Sequence, residues 1–155
     1  MKRRKIITLL VIFTSSMLHG ITQDSKPPLN PTDYHKPKFY ADLPEKATLR
    51  VSDLESLLYL PVGAKVNTMI TAKFPLTGTV ISTSGPIDPR VKSVVIKSTN
   101  RQGTMFTFTR ITEEDGSYSY IGRVLNKAAG DAMEIAKEGN SYVIRKKQSH
   151  EMIAE

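Results

Sequence analysis

The residues whose types could do chemistry gather on two segments joined by one tight turn. Arg110, Tyr118, Tyr120 and Arg123 lie among Thr107, Thr109, Ser117 and Ser119, with Glu113-Glu114-Asp115-Gly116 between the segments. Aromatic faces flanked by hydroxyls and guanidinium groups are what a sheet uses to hold a glycan or a peptide. The same residue types also furnish plain half-exposed strands, since Thr and Tyr suit a pleated surface. Arg110, Tyr118, Tyr120 and Arg123 are therefore the candidate binding residues. Phe106 and Phe108 share a face with Arg110, a pattern that could stack single-stranded nucleic acid. Core packing explains the two phenylalanines more simply, and nucleic acid is not expected as a partner.

Catalytic chemistry finds less support. His19, His35 and His150 are the three histidines, and all lie outside the β-patterned region. A hydrolytic triad or a histidine metal site needs a positioned imidazole there. The absence of cysteine excludes disulfides, thiolate zinc sites, iron–sulfur clusters and a cysteine nucleophile. Paired carboxylates can still move protons. Glu113, Glu114 and Asp115, Asp88, and Asp131 with Glu134 are the available ones, but hairpin tips and turns account for them. The acidic turn lacks the spaced oxygen ligands of a calcium loop, and Gly78 and Gly85 fit no phosphate-cradling glycine motif. The expectation is a protein that is not an enzyme, with no catalytic residue, cofactor or metal.

The elements that must position these residues read mainly as β. Val-, Ile- and Thr-rich segments cover 65–71, 77–82 and 92–98. Residues 104–111 alternate, with Phe106, Phe108 and Arg110 on one face and Met105, Thr107, Thr109 and Ile111 on the other. Residues 117–125 alternate again, Tyr118, Tyr120 and Val124 opposite Ile121 and Leu125. Further strands are expected at 132–137 and 141–146, around a Glu138-Gly139-Asn140 hairpin. Asp115-Gly116 signals another hairpin because Asp-Gly accepts positive φ. Gly122 marks a bulge or a close approach. Ser52-Asp53-Leu54-Glu55 fits a capping box, followed by Leu54, Leu57 and Leu58 at helical spacing, so a short helix is predicted near residues 52–59. The fold class is mainly β: a small antiparallel meander closing as a barrel or a two-layer sandwich.

The 155 residues, 24% charged and 39% hydrophobic, suit one modest soluble domain. Lys2, Arg3, Arg4 and Lys5 precede the apolar run Ile6–Phe13, and small residues lead to Gly20. This is the three-part pattern of a secretory signal, far short of the roughly 20 apolar residues that span a bilayer. Cleavage is expected after Gly20, or alternatively after Ser16. Loss of residues 1–20 removes four positive charges and no negative one, leaving +3 of the net +7. Residues 21–46 hold five of the nine prolines and read as a Pro-rich spacer, its second half carrying Tyr34, Phe39, Tyr40 and Leu43 that could dock on the domain. Residues 47–155 form the single β-rich domain.

Tyr120-Ile121-Gly122-Arg123, Gly130-Asp131-Ala132 and Glu138-Gly139 together resemble stretches of the pro-segments of secreted metalloproteases. The likeness covers about twenty residues, no protease domain accompanies it, and no functional residue is carried over. The expected function is an exported, non-enzymatic binding or structural module of the cell envelope or extracellular space, delivered by a Sec-type signal. Its expected partner is a glycan or an envelope protein, with no stable transmembrane span after signal cleavage. The alternative is an inhibitor or chaperone-like partner of another exported protein, a protease among the options, acting through an edge strand or the spacer.

Overall fold

A computed structural model of the chain describes residues 35–84 and 88–152. The expected signal and the start of the spacer fall outside the described residues, as does 85–87 within the Pro-bounded loop. The chain is mainly β. Eight strands form one antiparallel sheet: β1 (Lys46–Leu49), β2 (Lys65–Thr71), β3 (Phe74–Thr83), β4 (Val91–Ser98), β5 (Thr104–Thr112), β6 (Tyr118–Asn126), β7 (Asp131–Glu138) and β8 (Ser141–Gln148). Strands β2 to β8 run as a meander, and β1 lies beside β8, giving the order β1-β8-β7-β6-β5-β4-β3-β2. The sheet curls into a half-barrel whose two edges are the first two strands of the chain.

The helix α1 (Ser52–Glu55) continues as a 3-10 turn, Ser56–Tyr59, and links those two edges. Its Leu54, Leu57 and Leu58 enter the core formed by the inner face of the sheet. Each such leucine contributes about 2 kcal/mol by leaving water, which holds a segment too short to be helical alone. The expected capping box does not form. Val51 is the N-cap, Ser52 Oγ turns to Asp53 instead, and no side chain caps the helix. The helix begins one residue early, and Glu55 is drawn inward to the sheet.

Strict alternation decides which side chains face the helix. Phe106, Phe108 and Arg110 of β5 face inward, as do Tyr120 and Val124 of β6 and Val94 and Ile96 of β4. Phe106 and Phe108 stack on each other at 6.2 Å, and Phe108 on Tyr120 at 5.8 Å. Register shifts between Met69 and Thr71 and between Val80 and Ser82 mark bulges, which sharpen the local twist and bend a sheet. Gly122 is a close approach: a Cβ there would sit 2.9 Å from the Thr107 carbonyl oxygen and 2.9 Å from Ile135 Cδ1.

One end of the half-barrel is closed by residues read as spacer. Tyr40 is fully buried and Leu43 nearly so. Asp131, only 3% exposed, accepts the backbone N–H groups of Phe39 at 2.7 Å and Tyr40 at 3.0 Å. Arg101 clamps the same segment through the Phe39 carbonyl at 2.9 Å and the Asp42 carboxylate at 2.5 Å. The basic run Arg145-Lys146-Lys147 belongs to β8, an interior strand between β1 and β7. Its residues face Glu134 at 2.8 Å, Glu45 at 3.0 Å and Glu151 at 3.9 Å.

Candidate binding site

The opposite end of the half-barrel, nearest the Glu113–Gly116 turn, brings the candidate residues together. Strand register sets Lys92 beside Arg110 and Arg110 beside Tyr120, one rung across β4, β5 and β6. The next rung inward carries Val94 and Phe108, both core. The next rung outward pairs Thr112 with Tyr118. Two cations thus stand side by side at the last inner rung before solvent. Like charges directly opposite on neighbouring strands repel.

The helical segment supplies what holds them there. Tyr59 Oη accepts a hydrogen bond from Arg110 Nη1 at 3.2 Å, and Lys92 Nζ sits 3.7 Å from the centre of the Tyr59 ring. Arg110 also lies over Tyr118, its guanidinium carbon 4.3 Å from the ring centre. Cations on aromatic faces gain from the ring quadrupole, about 0.5–2 kcal/mol each depending on desolvation. Glu55 Oε1 stands 3.8 Å from Arg110 Nη1 and accepts the Tyr120 hydroxyl in a short hydrogen bond. Tyr142 meets the Tyr120 ring edge-on at 5.4 Å.

Electrostatics follow from these contacts. Burial, then the hydrogen bond to Glu55 and the charge of that carboxylate, push the Tyr120 phenol up to about 12. It is a neutral donor, unsuited to act as a base at ordinary pH. Burial works to lower the Arg110 pKa, but Tyr59, Tyr118 and Glu55 outweigh it and hold it above the usual value. The Arg110 side chain is 16% exposed, and its Nε is buried without a hydrogen-bond partner among the described residues.

Beside this site the sheet opens. Strands β6 and β7 pair only from Gly122 to Val124, opposite Ile135 to Met133. Past Gly122 the Tyr120 N–H is donated to Tyr142 Oη at 3.2 Å rather than to β7. A cleft of ≈ 560 Å³ lies along this opening, lined by Thr109, Ser119, Ile121, Arg123, Ala136 and Lys137 among others.

The four candidate residues therefore divide. Arg110 and Tyr118 meet at the open end. Tyr120 shares their face but is only 8% exposed, and serves as a strut between Glu55 and the core. Arg123 falls on the opposite face, where its Nη1 donates to the Met152 carbonyl at 3.4 Å and Glu134 is its cross-strand neighbour. Odd and even positions along β6 already separate Arg123 from Tyr118 and Tyr120. The sequence reading missed Glu55, Tyr59, Lys92 and Tyr142. Lys92 carried a signal, a charge at the same parity as the core residues Val94 and Ile96. Glu55 and Tyr59 carried a weaker one, the i, i+4 spacing that puts two side chains on one helical face.

Apart from Glu114, the acidic candidates are engaged in contacts of their own. Asp88 binds Arg90 through its backbone N–H at 2.9 Å and its guanidinium at 3.3 Å. Asp115 accepts the Ser117 N–H at 2.9 Å, and Glu113 takes the Ser119 hydroxyl. Glu134 holds Arg145. No protein-family model, no curated protein and no solved structure matches the chain.

Proposed function

We propose that this chain is an exported, non-enzymatic binding module that takes its ligand at the open end of the half-barrel. One observation carries the reading. Tyr59 is 61% exposed and Tyr118 50% exposed, yet both rings are held in place by cations stacked on them. A ring left half in water forgoes part of the stabilisation that burial would give. Fixing it there is useful to a surface that binds, because a pre-ordered aromatic platform loses little entropy on contact. Export is supported by the charged, apolar and small-residue pattern of residues 1–20. On this reading the ligand belongs to the envelope or the medium.

The test is retention of envelope and medium fractions on the immobilised chain, compared with Tyr59→Ala/Tyr118→Ala. A component held by the native protein and released by the variant, at unchanged melting temperature, supports the reading. Equal retention by both overturns it.

The β6–β7 opening favours a second reading, a chaperone-like or inhibitory partner of another exported protein. The interrupted ladder leaves main-chain groups that an added strand could pair. Mutating Tyr142 to Phe removes the phenol oxygen that occupies the Tyr120 N–H. On this reading it should strengthen capture of extended peptides and leave ligand retention at the open end unchanged.

A further inference from the structure

Resting on that reading, we propose that the ligand of the open end is an acidic saccharide, a uronate-type sugar whose carboxylate binds at Lys92 and Arg110 while its ring lies against the exposed tyrosines. The charge arrangement comes first. Lys92 and Arg110 are direct cross-strand neighbours on the inner face. The acidic Glu113–Asp115 turn lies farther out at the same end, and among the described residues Glu55 is the one carboxylate within 4 Å of the pair. That carboxylate is already bound to the Tyr120 hydroxyl, and at 3.8 Å from Arg110 it is beyond hydrogen-bond length. Among the described residues Lys92 forms no ion pair, and the one side-chain hydrogen bond of Arg110 goes to Tyr59. The pair therefore has excess positive charge and unused donors at the edge of an apolar core. A carboxylate accepting from both would relieve the repulsion and gain charge-assisted hydrogen bonds.

The surroundings favour a sugar over an acidic peptide. The β4–β5 and β5–β6 ladders are continuous through this rung, so the main-chain groups left for a polypeptide lie beyond it, along the β6–β7 opening and away from Lys92. What the open end does offer is two largely exposed aromatic rings, each with a cation seated on one face, next to the hydroxyls of Tyr59 and Thr112, the latter on the Tyr118 rung. The apolar face of a pyranose stacks on such rings, and its hydroxyls need only scattered polar partners. Arg110 is packed with its Nε buried, so it is pre-oriented, while Lys92 is the adaptable member of the pair.

Calorimetric titration of the full chain with trimeric galacturonate, and with its methyl ester, tests this. The acid should bind, and esterification should weaken binding about tenfold or more, as expected for loss of charge-assisted hydrogen bonds. Lys92→Gln should weaken the acid similarly with little change in melting temperature, because the lost contact with the Tyr59 ring is offset by removal of a like-charge contact. Equal binding of acid and ester, or no binding of the acid, overturns the proposal. Competition by polyglutamate as strong as by galacturonate overturns the saccharide assignment. The binding-module reading stands or falls separately, by whether Tyr59→Ala/Tyr118→Ala releases any retained component.

Discussion

Glu55 and Tyr120, 65 residues apart in sequence, meet in a hydrogen bond that ties the helical segment to the sixth strand. The contact sits directly behind the Arg110 guanidinium, so it fixes the helix and the binding face at once. Two short helical turns without side-chain caps depend on such tertiary contacts for their place.

Tyr120→Phe is expected to destabilise the fold by about 1–3 kcal/mol, the usual worth of a hydrogen bond to a charged group. Urea unfolding measures it. The loss should shrink when Glu55 is already Gln, and additive losses in the double variant would show that the two groups do not interact.

The same phenol gives a pH dependence at the alkaline end. Its folded pKa, raised to about 12, exceeds the ordinary value of 10.0. The fold favours the neutral form, so the stabilisation is fully present below pH 10 and fades as pH rises toward 12. Tyr40, raised chiefly by burial, acts in the same direction. In an ultraviolet titration, Tyr40 and Tyr120 should ionise above the ordinary tyrosine value, and Tyr120→Phe should remove one such late step. Tyr120→Phe should flatten the decline of melting temperature over that window.

Asp131→Ala removes the acceptor for two backbone N–H groups at the closed end. Leaving them unsatisfied should cost about 2–4 kcal/mol. Deleting residues 21–46 should go further and prevent cooperative folding, because it removes Tyr40, Leu43 and the first residue of β1. A sharp, native-like unfolding transition in the truncated protein would contradict this.

Gly122→Ala adds a methyl group within 2.9 Å of a backbone carbonyl and of Ile135. Overpacking of this kind costs about 1–3 kcal/mol. The strain falls where β6 and β7 last pair, so hydrogen exchange should rise first along Gly122–Val124.

Much of the sheet was legible in the sequence. The alternation at 104–111 and 117–125 placed Phe106, Phe108 and Tyr120 on one face, and the glycines at 103, 116 and 139 take the positive φ their turns require. β1 was missed because four residues carry too little periodicity to register. The capping box was misread because Ser52 and Glu55 had the right spacing, while a stronger partner for Glu55 lay on a distant strand. Sequence order hides which strands are edges: β8, with its basic run at 145–147, lies inside the sheet.

The sequence by itself determined the strands β2 to β8 and which of their residues share a face, because alternation depends on neighbours within a few residues. Only the tertiary structure decided that the sheet stops at a half-barrel, that Tyr40 and Asp131 close one end, and that Lys92, Tyr59 and Arg110 share the other. Those contacts join residues tens of positions apart, and their formation depends on register, curl and burial. No local pattern encodes them.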